Sequence, residues 1–262
     1  MPTNNLFLGL ETSGFEDHRP LSKRLIPASS LHVTLSFLGP SDQKQIKKTL
    51  LQSLPPFLEL GIIVHLKKLL YLPTSHPRVV AALIEDLSID SKLNCYQSAL
   101  QTWAIAHKLP IKQGDFRPHL SLARAPFNRS LWEKSFIPSL LTLTNLHLYE
   151  SVAPLTYRPL WTHLVPAPFE EIEHTADLAF CIRGRSLSEV ALHAGAALAS
   201  KCPSFLPYLS IGSYQNLTDI IRDLNRKLAQ FDQDVGAPFK AVSFHGKLNY
   251  EPILSWEMII DV

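Results

Sequence analysis

The sequence predicts an α+β chain in two parts, and three observations carry that reading. Short apolar or alternating segments are interleaved with segments of helical periodicity along all 262 residues. Hydrophobic residues make up 46% and charged residues 18%, a balance that supports a buried core and argues against disorder. Residues 154–168 (PLTYRPLWTHLVPAP) hold four prolines and lose their periodicity after Thr162, which places a boundary near Pro166–Pro168. The parts are accordingly residues 1–165 and 168–262.

In the first part, LFLGL at 6–10 reads as a strand, and LHVTLSF at 31–37 alternates strictly. Residues 41–54 put Ile46, Leu50 and Leu54 on one helical face, with Ser41 as the N-cap after Pro40. A second helix is expected over 91–108, with Leu93, Leu100, Trp103 and Ala104 at helical spacing. HLSLA at 119–123 and LTNLHLYES at 143–151 then read as strands. Strands interleaved with two helices predict a sandwich with the helices on one face.

The second part opens on strand-like FEEIEHTADLAFCIRG at 169–184. Ser186 and Glu189 form a capping box ahead of a helix whose inward stripe is Leu187, Val190, Ala191, Ala194 and Leu198. A second helix carries Leu217, Ile220, Ile221, Leu224, Leu228 and Phe231, capped by Asn216. The C-terminal stretch from Phe239 has two alternating strands around a Gly-containing turn.

Composition narrows the function. A net charge of +2 fits an anionic substrate and falls short of a dedicated duplex binder. Cys95, Cys181 and Cys202 are widely spaced with no CxxC pair, so neither a zinc site nor a disulfide framework is expected, only reduced thiols. The N-terminus lacks the cationic start of a signal peptide, and no apolar run reaches the length of a membrane span. The expectation is a soluble, cytoplasmic protein without a membrane partner.

Two short motifs repeat one pattern: histidine, apolar, hydroxyl, apolar. They are His32-Val33-Thr34-Leu35 and His119-Leu120-Ser121-Leu122. Alternation along a strand points His32 and Thr34 one way and Val33 and Leu35 the other, and His119 and Ser121 behave alike. Each motif presents an imidazole beside a hydroxyl. Two such strands across a cleft would suit phosphodiester cleavage by acid–base relay, because an imidazole near its ordinary pKa serves as either acid or base. The hydroxyls would bond the non-bridging phosphate oxygens as charge builds. Arg117 and Arg124 flank the second motif, where they either clamp phosphates or stand as solvated strand-end cations; Lys67 and Lys68 carry the same two readings. Phe37 and Tyr149 either stack on a terminal base or pack into the core.

The segments SSLHVTLSFLG (29–39), FRPHLSLARA (116–125) and LHLYES (146–151) resemble the two-histidine (2H) phosphoesterases, in particular the RNA 2′,3′-cyclic phosphodiesterases once called 2′-5′ RNA ligases. The resemblance spans most of residues 1–165 and implies a two-lobed antiparallel-sheet domain. It implies that His32 donates a proton to the leaving O3′ and His119 accepts one from water. It also implies that Thr34 and Ser121 bind the phosphate, that no cofactor is needed, and that RNA with 2′,3′-cyclic phosphate ends is the substrate. Only residues 11–30 separate the first strand from the first motif, where the family has a further helix and strand, so the preference for RNA length is left open.

EIEHTADLAF (171–180), GRSLSEVALHAGAAL (184–198), KAVSFHG (240–246) and the terminal Ile260-Asp261-Val262 are similar to archease, a cofactor of a GTP-dependent tRNA ligase. The similarity implies a small α+β domain, shortened between the second helix and KAVSFHG. It implies a calcium-like divalent cation held by Asp177, Asp261 and the Val262 terminus, with Lys240 at a basic position. His174 and His245 are expected to be structural. The rival reading of the whole chain is an accessory protein for a GTP-dependent RNA ligase whose first part only grips RNA ends. A third is action on a small cyclic nucleotide or an ADP-ribose cyclic phosphate instead of RNA.

Overall fold

The computed structural model describes residues 5–112, 114–174, 178–249 and 253–262, in two compact units that meet between Pro166 and Ala167. Asp177 lies outside the described residues.

The first unit runs β1 (Asn5–Ser13), β2 (His32–Pro40), α1 (Gln43–Gln52), β3 (Ile62–Leu72), β4 (Val79–Asp86), α2 (Lys92–Ala106), β5 (His119–Arg124), α3 (Arg129–Ser135), β6 (Ser139–Ala153) and β7 (Thr156–His163). The strands form one antiparallel sheet in the order β1-β2-β5-β4-β3-β6-β7. Because β1 also pairs with β6, six of these strands close into a ring. The seam of the ring is β2 against β5, joined at Val33 and Leu120. The expected two-lobed domain is thus hydrogen-bonded as one continuous sheet, and its narrowest join lies between the two histidine strands.

One face of this sheet builds the core. Leu6, Leu8, Val33, Leu35, Leu120 and Leu148 are at most 3% exposed and pack with Ile46 and Leu50 of α1, Leu93 and Leu100 of α2, and Trp132 of α3. Burial of apolar side chains at these positions is the main stabilising term. The alternation read from residues 31–37 holds up to Leu35 and then breaks. Gly9 pairs with Thr34 and Leu8 with Ser36, which leaves Leu35 as an extra residue of β2. Past this bulge the phase inverts, so Ser36 is buried while Phe37 stands 54% exposed.

Helix α1 begins one residue later than expected. Asp42, not Ser41, is its cap, with the carboxylate accepting from the Lys44 amide at 2.9 Å. The Ser41 hydroxyl instead donates to the Leu38 carbonyl at 2.6 Å. Leu54 falls beyond the helix and is exposed, because the chain turns extended at Ser53 before Pro55 and Pro56.

The second unit runs β8 (Phe169–Ile172), β9 (Leu178–Gly184), α4 (Leu187–Lys201), α5 (Leu217–Val235), β10 (Ala241–Asn249) and β11 (Leu254–Asp261). Its antiparallel sheet has the order β10-β11-β9-β8. Helix α4 is buried at every position from Glu189 to Ala199, a wider face than the expected stripe. Ser186 caps it by accepting from the Glu189 amide at 3.2 Å. The Glu189 carboxylate closes the box one residue further back than usual, on the Arg185 amide at 2.9 Å. Asn216 caps α5, accepting from the Asp219 amide at 3.0 Å.

Asn225 of α5 protects the edge of this sheet. Its amide oxygen accepts from the Val242 amide at 2.8 Å, and its amide nitrogen donates to the Val242 carbonyl at 2.9 Å. One side chain thereby satisfies both outward backbone groups of an edge-strand residue. Asn225→Ala is expected to destabilise the second unit by about 1–3 kcal/mol and to speed exchange of the Val242 amide proton. Amide hydrogen exchange checks this; unchanged protection at Val242 would contradict it.

Candidate active site

Register assigns the histidine face. Val33 and Leu120 pair with each other and both point into the core, so His32, Thr34, His119 and Ser121 share the opposite face. The strands on either side extend that face. Glu11 pairs with His32 and Gly9 with Thr34 on β1; Leu83 pairs with His119 and Ala81 with Ser121 on β4. Across β1, Gly9 meets His147 and Phe7 meets Tyr149 of β6. A side chain at position 9 would crowd the floor, since a Cβ there would lie 3.0 Å from the Val33 carbonyl oxygen and 3.6 Å from the His32 ring.

Both histidines are held by the same device. A single turn of 3-10 helix at Ala28–Ser30 delivers the Ser30 carbonyl to His32 Nδ1 at 2.8 Å. The Arg117 carbonyl meets His119 Nδ1, also at 2.8 Å, and Pro118 favours the extended backbone that presents it. A carbonyl only accepts, so Nδ1 carries the proton in each ring when neutral, and Nε2 is the basic nitrogen. Each imidazole therefore has a fixed tautomer and a hydroxyl two residues further along the same face.

Their surroundings differ. His32 is 8% exposed and enclosed by aromatic rings: Phe7 stacks on it at 4.7 Å, Tyr149 lies at 5.1 Å, and Tyr157 meets it edge-on at 4.7 Å. Burial holds its pKa down at about 4, against the pull of the Ser30 carbonyl, and His119 and His147 push in the same direction as burial. His119 is only half-buried. Burial among the same rings raises the Tyr149 phenol well above its usual range.

The basic residues divide. Lys67 is the extra residue of an irregularity in β3, and its ammonium is taken by Glu85 at 2.7 Å. Lys68 pairs with Leu83 and so shares the histidine face. On β5 an irregularity past Ser121 brings Arg124 opposite Val79, on the same face of β4 as Ala81, which returns Arg124 to the histidine side. Lys68, Arg117 and Arg124 are exposed, and among the described residues no carboxylate pairs with them. Phe37 stands over Phe7 with ring centroids 6.0 Å apart. Of the two aromatic residues singled out in the sequence, Tyr149 packs as floor and Phe37 is available to a ligand.

Sequence reasoning missed Glu11 and His147. His147 Nε2 lies 3.3 Å from the Glu11 carboxylate, which also accepts from Asn145 at 2.7 Å, and these contacts hold Glu11 below its ordinary pKa. Thr162 lies 2.9 Å from His147 Nδ1. Their positions 11, 145, 147 and 162 share no spacing; only the β1–β6–β7 pairing brings them together.

The second unit presents a different picture at the expected cation site. Lys240 donates to the Val262 carbonyl at 2.7 Å and lies 3.9 Å from the Asp261 carboxylate. An ammonium thus stands beside the Asp261 and Val262 oxygens assigned to a divalent ion, and Asp177 is outside the described residues. His245 is exposed on β10 opposite Glu257, and His174 is exposed. Among the described residues no group of three His, Cys, Asp or Glu side chains converges.

Comparison with solved structures gives likenesses confined to part of the chain. E. coli LigT, in a complex with 3′-AMP, is 20% identical over 63% of this chain and 99% of its own, with a TM-score of 0.46. TT0787 of Thermus thermophilus is 21% identical over 62% of this chain and 98% of its own, at 0.45. A structure described as a phosphoesterase is 20% identical over 62% of this chain and 99% of its own, at 0.44. At these identities and scores the likenesses carry nothing about activity or ligand. No family model and no curated protein matches the sequence. No described helix is long and apolar enough to cross a membrane.

Proposed function

We propose that the first unit hydrolyses RNA 2′,3′-cyclic phosphate ends to 2′-phosphomonoesters, with His32 as acid and His119 as base. The observation that carries this reading is the matched pair of imidazoles. They stand on adjacent strands of one face, each locked through Nδ1–H to the carbonyl two residues before it and each followed by a hydroxyl.

The chemistry follows from that arrangement. His119 Nε2 takes a proton from water as its oxygen attacks phosphorus. The P–O3′ bond breaks, and O3′ takes the proton that His32 Nε2 carries. The products are a 2′-phosphomonoester and a free 3′-hydroxyl. Thr34 and Ser121 bond the non-bridging oxygens as their charge rises. Both proton transfers fall to imidazoles, so no step calls on a metal ion.

RNA is favoured over a mononucleotide by what surrounds the pair. Lys68, Arg117 and Arg124 offer several exposed cations to a polyanion, and exposed Phe37 offers a stacking face. Stacking on an aromatic residue is worth about 1–3 kcal/mol per base, so Phe37→Ala is expected to raise KM by about tenfold with kcat little changed. A series of substrates from nucleoside 2′,3′-cyclic monophosphate to oligomers tests the substrate class. Rising kcat/KM with length, and a 2′-phosphate product, support RNA ends; a mononucleotide that is equally good makes small cyclic nucleotides the substrate.

A further inference from the structure

We propose that Tyr157, on the edge strand β7, is a positioning residue that walls His32 off from water, so that this imidazole gains its proton together with an anionic ligand. The proposal rests on the reading that the histidine face binds a phosphate.

Three strands enclose His32. Phe7 of β1 covers one ring face at 4.7 Å and 30°, Tyr149 of β6 lies tilted at 5.1 Å, and Tyr157 of β7 closes edge-on at 4.7 Å and 82°. Phe7 and Tyr149 are buried floor residues that also stack on each other. Tyr157 is half-buried, packs against Phe7 as well, and comes from a strand whose other edge has no strand paired to it among the described residues. It packs against the edge of the core and is the least buried member of the wall.

Among the described residues, the titratable groups that face His32 bring no counter-charge to its ring. From β5 comes His119 and from β6 His147, both of which oppose a positive charge on it. From β1 comes Glu11, whose carboxylate is turned to His147 and Asn145. The Tyr149 phenol, raised by burial, stays neutral at ordinary pH. The hydrogen bond that His32 Nδ1–H donates goes to the neutral Ser30 carbonyl. An imidazole so placed is uncharged in the empty cleft, as its lowered pKa agrees. It nevertheless has to carry a proton to act as an acid. A phosphate monoanion between Thr34 and Ser121 supplies the missing charge, and the acid is formed as substrate binds. Tyr157 matters because without it water reaches the ring and solvates the cation unaided.

Imidazole resonances of the full chain test this, with His32→Gln to assign the His32 signal and 2′-AMP as the probe. In the wild type, His32 is expected to stay neutral down to about pH 5 without ligand and to be cationic near pH 7 when 2′-AMP is bound. Tyr157→Thr keeps a strand-forming residue but removes the ring, and His32 is then expected to titrate at about pH 5–6.5 without ligand. Tyr157→Phe restores the wild-type behaviour. The proposal is overturned if free wild-type His32 titrates near its ordinary pKa, if Tyr157→Thr leaves its titration unmoved, or if 2′-AMP binds without charging it. Failure of 2′-AMP to bind at all would remove the phosphate-site reading, while the ligand-free titrations would still decide the role of Tyr157.

Discussion

With His119 replaced by alanine, hydrolysis of an RNA 2′,3′-cyclic phosphate end is expected to fall by about 10²–10⁴-fold, the range over which a positioned general base acts. His32→Ala is expected to lose as much through the general acid. The two losses should not add in the double variant, because a relay without one member gains little from the other. Neither substitution reaches the core face, since the partner residues Val33 and Leu120 hold the two strands together. Binding of 2′-AMP at pH 7 should therefore survive in His119→Ala. Single-turnover rates, measured with the affinity for 2′-AMP, separate the cases. Turnover within about tenfold of wild type in either single variant would remove that histidine from the chemistry.

The second large effect is on stability. Burial leaves His32 with a pKa of about 4 in the folded chain, against 6.5 when exposed. Above pH 6.5 neither state carries the proton, and the group makes no difference to the balance. As pH falls below 6.5 the unfolded chain takes up a proton that the folded chain refuses, so stability declines until the folded pKa is reached. Over that window the loss amounts to about 3 kcal/mol. His32→Gln cannot titrate and is expected to lack this component. Urea unfolding of the first unit at a series of pH values should give two curves that run together above pH 6.5 and separate towards pH 4, with the variant losing less. Curves that stay parallel would mean that His32 is not sealed as described.

Much of the site is legible in the sequence because it depends on strand alternation. The spacing of His32 with Thr34, and of His119 with Ser121, dictates a shared face once the segments are strands, and the register of Val33 against Leu120 places all four together. Caps on α4 and α5 are legible for a similar local reason, as Ser186 and Asn216 stand next to the amides they serve. What alternation cannot show is where it fails. The extra residue at Leu35 turns Phe37 out of the core, and an irregularity in β5 returns Arg124 to the histidine face. Strands β3 and β4 escape a reading by pattern because their continuous apolar runs have no clear period.

The rest depends on strand order, which no local pattern encodes. Tyr157 reaches His32, and Glu11 reaches His147, only because β1 is paired on both sides and β7 follows β6. At the C-terminus, the Asp261–Val262 oxygens look suited to a hard cation in the sequence. The approach of Lys240 to those oxygens is a side-chain contact of the residue before β10 with the end of the chain after β11, which local pattern does not show.

The most direct test of the central claim is incubation of the wild-type protein with an RNA oligomer ending in a 2′,3′-cyclic phosphate, in excess EDTA, with the product resolved as 2′- or 3′-phosphate. Two imidazoles acting as acid and base predict complete conversion to the 2′-phosphomonoester. An unchanged cyclic end, in a folded protein that still binds the RNA, would contradict hydrolysis and leave an RNA-end-binding protein in its place.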